Sequence, residues 1–178
     1  MSETVRAYVA LGSNMGERVL QVRQAIGLLQ AHGAIRLRQI SQFLETEPVG
    51  IQEERDPQWF VNAVVGIDTE FSPSQLLSVC LSIERQLGRT RDQNTPVNGY
   101  LSRTMDIDIL FYGDQIISEP GLEVPHPRLH QRFFALTPMV DVAPAFIHPV
   151  LGLSIRELYD TLKQAESSNT PQLTGAPS

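Results

Sequence analysis

The chain alternates between two hydrophobic periods, which indicates a mixture of strands and helices. Apolar residues at every second position predict strands over residues 5–11, 61–67 and 105–111, and a further strand is expected over residues 35–44. The glycine-rich residues 12–16 are predicted to end the first strand. Apolar residues spaced three and four apart, or a capping box at the start, predict helices over residues 19–33, 73–87, 128–135 and 155–163.

The order of these elements is β-α-β-β-α-β, followed by a C-terminal extension. This order predicts an α+β fold of the ferredoxin-like type, an antiparallel sheet with helices on one face. Residues 1–165 are predicted to form one domain, and the polar stretch 166–178 is predicted to be a disordered tail. The fold alone does not choose a function, because ferredoxin-like sheets also serve as RNA-binding modules.

The composition narrows the classes of function. The 178 residues include 14 basic and 20 acidic side chains, a net charge of −6, which argues against a sequence-independent nucleic-acid binder. Cys80 is the single cysteine, so no disulfide can form within the chain. No apolar stretch approaches the roughly 20 residues of a membrane span, and the first residues lack the layout of a signal peptide. We expect a cytoplasmic protein with small-molecule partners, a monomer or a weak homo-oligomer.

Arginine supplies almost all of the positive charge. The one lysine, Lys163, is followed by Gln164, which excludes a Walker A phosphate loop because that loop needs Gly-Lys-Ser or Gly-Lys-Thr. An anionic substrate must therefore be held by arginine, by backbone amides or by a metal ion.

Asp106 and Asp108 are the strongest candidates for chemistry. In a strand they share one face, with Cα atoms about 6.6 Å apart. Two carboxylates at this spacing suit Mg²⁺, which keeps several waters and accepts phosphate oxygens of a substrate as further ligands. The alternative is a solvated sheet face that carries two surface acids, although strand interiors disfavour aspartate.

Arginines flank this pair in the sequence, and their planar guanidinium groups bind phosphoryl oxygens in a bidentate manner. They are Arg89, Arg91 and Arg103. Alternatively, they form structural salt bridges with Asp92, Asp106 or Asp108. Glu84, one turn before the end of its helix, is placed to orient one of them.

Aromatic and polar residues form two further groups. Phe60 and Asn62 share a face of the third predicted strand, where a flat heterocycle would stack on the ring and bond to the amide; the alternative is that Phe60 is a core residue. His126 lies between two prolines, ahead of Arg132 and Phe134, in a segment that suits a rigid functional loop or a plain turn.

Together these residues resemble the 6-hydroxymethyl-7,8-dihydropterin pyrophosphokinases of folate biosynthesis. The resemblance runs from about residue 8 to residue 159. It rests on Gly12-Ser13-Asn14, Phe60-x-Asn62, Arg103-Thr104-x-Asp106-x-Asp108-Ile109, Val124-Pro125-His126 and Arg132-x-Phe134. The resemblance implies a ferredoxin-like fold and the Mg²⁺-dependent transfer of the β,γ-pyrophosphoryl group of ATP to the pterin hydroxymethyl oxygen, with AMP leaving.

The resemblance also implies a role for each matching residue. Asp106 and Asp108 would ligate two Mg²⁺ ions, while Arg89 and Arg103 would balance the charge of the transferring group. Further ATP contacts would come from Glu84, Arg91 and His126. The pterin would be bound by Thr46, Val49, Phe60, Asn62, Arg132 and Phe134, with the two phenylalanines on either side of the ring.

One departure from the family pattern leaves an alternative open. The family usually has a shorter loop that ends in Trp-Gly-Pro-Arg, whereas this chain has Tyr100-Leu101-Ser102-Arg103. The alternative is a divergent, non-catalytic paralogue that binds pterin or nucleotide. An RNA-binding module and a nucleotide-sugar transferase rank lower, because the first would display basic residues where Asp106 and Asp108 stand and the second needs a larger chain.

Overall fold

The computed structural model describes residues 3–14, 17–46, 59–87 and 105–169. Its strands are β1 (Val5–Ser13), β2 (Ile35–Ile40), β3 (Leu44–Thr46), β4 (Phe60–Thr69), β5 (Asp106–Tyr112), β6 (Ile117–Glu119) and β7 (Leu122–Val124). Its helices are α1 (Arg18–Gln30), α2 (Pro73–Leu87), α3 (Phe133–Val142) and α4 (Ile155–Ser168), with a short 3-10 helix at Leu129–Gln131.

The main sheet has the strand order β2-β4-β1-β5, and each pair of neighbouring strands in this order is antiparallel. The long strands β1 and β4 form its centre, so the first strand and the strand before α2 lie side by side. This order is the one that the ferredoxin-like prediction requires, and the prediction is confirmed. A separate hairpin of β6 and β7 follows β5.

The strand expected over residues 35–44 is in fact two strands, β2 and β3, which pair with successive parts of β4. Ser41 lies between them. Its backbone N–H donates to the Val64 carbonyl at 2.9 Å, and its Oγ accepts the Val64 N–H at 2.9 Å. The side chain thus replaces a backbone partner at the break, as is common where a strand is interrupted.

Helices cover both faces of the sheet: the two helices of the ferredoxin-like core lie on one face, as expected, and the two helices of the C-terminal extension cover the other. Helices α1 and α2 cover the first face, where Val9, Leu11 and Val65 are buried. Helices α3 and α4 cover the second face, over Tyr8, Val64 and Phe111. The physical reason is that both sets of alternating side chains in β1 and β4 contain apolar residues, so each face needs a cover.

The ends of two helices follow their sequence signals. The Ser72 N–H donates to Gln75 Oε1 at 2.9 Å while Ser72 Oγ accepts the Gln75 N–H at 3.2 Å. Ser154 and Glu157 make the same reciprocal pair ahead of α4. Helix α4 continues to Ser168, three residues into the segment that was expected to be a tail. The helix expected over residues 128–135 is replaced by the 3-10 turn and α3. None of the described helices is long and apolar enough to cross a membrane.

Candidate active site

The register of the sheet brings the predicted carboxylates and the predicted amide to one row of the second face. Gly12 of β1 pairs with Asp106 of β5 on one side and with Asn62 of β4 on the other. Asp108 pairs with Ala10 one step along the same face. Both aspartates are half-buried. Adjacent strands lie about 4.8 Å apart, so Asp106 and Asn62 are separated by about 10 Å across the glycine.

Gly12 lies inside β1, although glycine was expected to end that strand. A Cβ atom built on Gly12 would lie 2.9 Å from Asn62 Oδ1, which is too close for a carbon and an oxygen atom. Glycine inside a strand commonly marks such a close approach. The Asn62 amide in turn donates from Nδ2 to Thr46 Oγ1 at 2.8 Å. From the sequence, Gly12 was expected to end the strand and was part of a motif, but it was given no functional role.

Glu84 holds the edge strand that carries the two aspartates. Its side chain is 5% exposed, and its Oε1 accepts the Ile107 backbone N–H at 2.8 Å. Ile107 stands between Asp106 and Asp108, so α2 fixes the backbone at the midpoint of the pair. Sequence reasoning missed this bond, although one signal was present: Glu84 continues the apolar stripe of α2 that includes Cys80.

His126 follows a cis peptide bond between Val124 and Pro125. Its backbone N–H donates to the Leu110 carbonyl at 3.1 Å, which attaches the segment to β5. Burial lowers the pKa of the imidazole below 6.5, and the charge of Arg132 lowers it further, while Asp106 opposes the shift. The neutral ring accepts the Arg128 N–H at Nδ1, 3.3 Å away. Its proton is therefore on Nε2, which makes that atom a hydrogen-bond donor.

A cleft of about 290 Å³ lies beside this segment, along the outer edge of β5. Asp108 and His126 both line it, together with residues of the β6–β7 hairpin. A carboxylate and a neutral imidazole donor thus border the same space. This combination suits a ligand that brings both a metal ion and acceptor oxygens, as a nucleotide triphosphate does.

Arg132 and Phe134 form a pair at the start of α3. The Arg132 guanidinium carbon lies 5.4 Å from the centroid of the Phe134 ring, within the range of a cation–π contact. Phe134 is half-buried and packs against the second core. Phe60 is half-buried at the start of β4, where it pairs with Thr46. Phe60 and Asn62 are two residues apart in β4 and share the second face.

Several predicted residues lie outside the described ranges, namely Val49, Arg89, Arg91 and Arg103. His32 and His148 stand in ring contacts away from the predicted site. His32 meets the edge of Phe71 at 5.9 Å, and the buried His148 accepts two backbone N–H groups at Nδ1.

Comparison with known proteins shows which family the chain matches. Residues 8–144 match the family model described as 7,8-dihydro-6-hydroxymethylpterin-pyrophosphokinase. A Bacillus subtilis 2-amino-4-hydroxy-6-hydroxymethyldihydropteridine pyrophosphokinase is 40% identical over 136 residues, 76% of this chain and 77% of the relative. A Porphyromonas gingivalis protein of the same name is 42% identical over 143 residues, 80% of this chain and 92% of the relative.

The crystal structure of wild-type Plasmodium falciparum HPPK-DHPS with pteroate is similar in fold. The TM-score is 0.73 at 17% sequence identity, and the match covers 95% of this chain and 44% of that chain.

Proposed function

The chain belongs to the 7,8-dihydro-6-hydroxymethylpterin-pyrophosphokinase family, and we propose that the row through Asp106, Gly12 and Asn62 is its catalytic centre. As a member of this family, the protein is an ATP-dependent enzyme of folate biosynthesis. It transfers a pyrophosphoryl group to hydroxymethyldihydropterin. The observation that carries the proposal is the register, which puts the carboxylates and the amide about 10 Å apart on one face.

Asp106 and Asp108 would hold Mg²⁺. The described residues contain no group of three or more His, Cys, Asp or Glu side chains that would enclose a metal ion. Two half-buried carboxylates on one face therefore leave most of the coordination shell to waters and substrate oxygens. This donor set fits Mg²⁺, whose shell is usually completed by phosphate oxygens, and we propose two ions. Bound Mg²⁺ would neutralise charge on the triphosphate and lower the pKa of the attacking hydroxyl.

The remaining residues on the phosphate side would orient ATP. His126 presents its Nε2–H as a donor, and a neutral ring at this position avoids a full charge beside the metal site. Arg89, Arg91 and Arg103 would bind phosphoryl oxygens and balance negative charge as it develops during transfer. Glu84 would contribute to ATP binding in addition to fixing the backbone of β5.

The pterin would occupy the Asn62 end of the row. Phe60 and Phe134 would contact the two faces of the ring, and the Asn62 amide would bond to its edge. Thr46 and Val49 would supply backbone contacts. Arg132, which lies over Phe134, would meet the ligand where the ring and the phosphate ends join.

In this arrangement the pterin hydroxymethyl oxygen forms a bond to the β-phosphorus of ATP. The bond between that phosphorus and the oxygen that bridges it to the α-phosphorus breaks. The β- and γ-phosphoryl groups move together, AMP departs with the electron pair, and the proton of the hydroxyl group passes to solvent water. Such a loose transfer depends on positioning and on electrostatic stabilisation, so the absence of a dedicated base among the assigned residues is consistent with it.

The test is a measurement of AMP after the protein is mixed with ATP, Mg²⁺ and 6-hydroxymethyl-7,8-dihydropterin. Asp106→Asn and Asp108→Asn should each lower turnover by about 1000-fold, because each removes a charged metal ligand without changing side-chain size. Asp114→Asn, an exposed aspartate just beyond the end of β5, is the matched control and should retain full turnover.

Two results would contradict the assignment. One is turnover by both the Asp106 and the Asp108 variant at the rate of the control. The other is full activity of the wild-type protein after exhaustive chelation of divalent metal ions.

We also propose a cytoplasmic location and a monomer or weak homo-oligomer. The location is supported by the use of ATP as co-substrate.

A further inference from the structure

Asn62 is held from two sides, and the two contacts act on opposite ends of its amide. Nδ2 donates to Thr46 Oγ1 at 2.8 Å, and Oδ1 lies over Gly12. The next atoms that a Cβ on Gly12 would meet are 3.9 Å away, an ordinary contact distance. The Asn62 oxygen is therefore the atom that excludes a side chain at position 12.

The backbone of Gly12 does not itself require glycine. Glycines with positive φ in the described ranges are Gly113, Gly121 and Gly152, and Gly12 is not among them. Any residue can adopt an extended conformation in a strand. The glycine is needed for the space above its Cα atom, and the group that uses this space is the Asn62 amide.

The hydrogen bond to Thr46 also sets the polarity of the amide. Since Nδ2 is directed to the Thr46 hydroxyl, the Oδ1 lone pairs face the row that leads to Asp106. A carbonyl oxygen of this kind accepts from N–H groups. The polar edge of a pterin carries both an amino group and a ring N–H, so it offers donors to such an oxygen.

We propose that Gly12 and the Thr46 hydroxyl are positioning groups for Asn62, which fix its oxygen as the acceptor for an N–H group of the pterin. This inference rests on the proposed function, because it takes Asn62 as a pterin contact. It adds a side-chain role for Thr46, and it gives Gly12 a role in recognition of one substrate and not of the other.

The first experiment compares the Michaelis constants for the two substrates in Gly12→Ala. The new methyl group displaces the Asn62 amide, so the pterin KM should rise about fivefold to tenfold, the value of one hydrogen bond. The kcat and the ATP KM should stay near wild type, since a bond made equally in the ground state and the transition state affects KM alone. The displaced atom is the end of a side chain, so the unfolding midpoint in urea should change little.

A double-mutant cycle separates positioning from a general effect on the strand. Asn62→Ala removes the oxygen that the methyl group would meet, and it should itself raise the pterin KM. In that background Gly12→Ala should have no further effect beyond about twofold, because the two changes act through one contact. If Gly12→Ala raised the pterin KM by the same factor in the wild type and in the Asn62→Ala variant, the proposal would be overturned.

Thr46 provides an independent test with a conservative rescue. Thr46→Val removes the hydroxyl but keeps the shape and the backbone, and it should raise the pterin KM about threefold to tenfold. Thr46→Ser restores the hydroxyl and should restore the KM. If Val and Ser behaved alike, the hydroxyl would have no positioning role.

The control for glycine replacement is Gly66→Ala in β4. There a Cβ would meet Gln39 Oε1 at 3.2 Å and Tyr8 Cε1 at 3.3 Å, away from the proposed site. This variant should lose some stability and keep both KM values.

The results of these experiments also distinguish failure of the proposed function from failure of the positioning role. If Asn62→Ala leaves the pterin KM unchanged, Asn62 is not a pterin contact; if it raises KM while Gly12→Ala and Thr46→Val do not, the positioning role is wrong.

Discussion

The two ends of the second sheet face use the same two central strands in opposite ways. At one end, Arg6 of β1 pairs with Asp68 of β4, and Arg36 of β2 continues the row. Arg6 Nε donates to Asp68 Oδ1 at 2.6 Å, and Arg38 Nε donates to Oδ2 at 2.5 Å. The hydrogen bond from Arg6, above all, lowers the pKa of Asp68. At this end the charges of Asp68 and the arginines are paired within the protein.

At the other end, six residues along β1, the corresponding position is Gly12. Glycine contributes no side chain, so the Asn62 amide occupies the space above Gly12, and Asp106 lies on the other side of the glycine. The same face thus carries a salt bridge at one end and the proposed site at the other. At the first end, Asp68 of β4 links arginines from the strands on both sides of it, whereas at the other end Gly12 of β1 separates Asp106 from Asn62.

Cavity size does not distinguish the two ends. The cavity at the Arg6 end has about 430 Å³, against about 290 Å³ for the cleft beside Asp108 and His126. Among the residues that line the larger one, Arg6 and Arg38 already bind the carboxylate of Asp68. We therefore identify the site from the chemistry of the groups that line it.

Of the substitutions that test this comparison, we expect the largest effect from replacement of Glu84, which fixes β5 at the end that carries the proposed site. Glu84→Ala leaves the buried Ile107 N–H without its acceptor and opens a cavity, so the free energy of unfolding should fall by about 2 to 4 kcal/mol. Displacement of Asp106 and Asp108 should lower kcat by about 100-fold, the cost of a small misplacement of catalytic groups. Urea unfolding and the AMP assay measure the two effects.

Glu84→Gln is the matched variant, because it keeps an acceptor oxygen for Ile107. It should retain most of the stability and of kcat. If Glu84 also contacts ATP, this variant should raise the ATP KM. An alanine variant as stable as the glutamine variant would show that the bond to Ile107 does not hold the strand.

A smaller effect is expected from Asp68→Asn at the opposite end. The side chains of Arg6 and Arg38 are 41% and 43% exposed, so solvent screens both pairs. We expect a loss of about 1 kcal/mol in the free energy of unfolding, a smaller loss in high salt, and no change in AMP formation. Because the folded state lowers the pKa of Asp68, the wild-type advantage is present above pH 3.8 and is lost as the pH falls below it.

The result for Asp68 tests whether the two ends are independent. A changed AMP rate in Asp68→Asn, or a loss of stability much above that of an exposed ion pair, would mean that the salt bridge is coupled to the site.

The sequence predicted the features that depend on local pattern. A period of two placed Asp106 and Asp108 on one face, and the Ser72 and Ser154 capping boxes marked two helix starts. The order of elements predicted the strand order of the sheet, because short connections allow few topologies.

Features that depend on packing between distant segments were not predicted. Glycine is a strand breaker by local pattern, and only the pairing of β1 with β4 places the Asn62 amide over Gly12. The apolar stripe of α2 indicates that Glu84 is buried, but its partner depends on how α2 packs against β5. The cover of the second face depends on how α3 and α4 fold back over Tyr8 and Phe111.

The smallest effect is expected from replacement of His148, which lies between the two ends. This buried residue contacts the Phe111 ring at a centroid distance of 5.5 Å. Nδ1 accepts the N–H groups of Val150 and Leu151, so the ring must be neutral at that atom. Burial, and to a lesser degree the charge of His130, lowers the pKa of His148 below 6.5. The unfolded chain thus binds the proton more tightly, and stability present above pH 6.5 is lost as the pH falls toward the folded-state pKa.

His148→Asn keeps an acceptor in place of Nδ1 but does not titrate. The difference in the free energy of unfolding between wild type and this variant, measured in urea, should therefore shrink between about pH 7.5 and about pH 5. A difference that stays constant with pH would mean that protonation of His148 does not weaken the cover between the two ends.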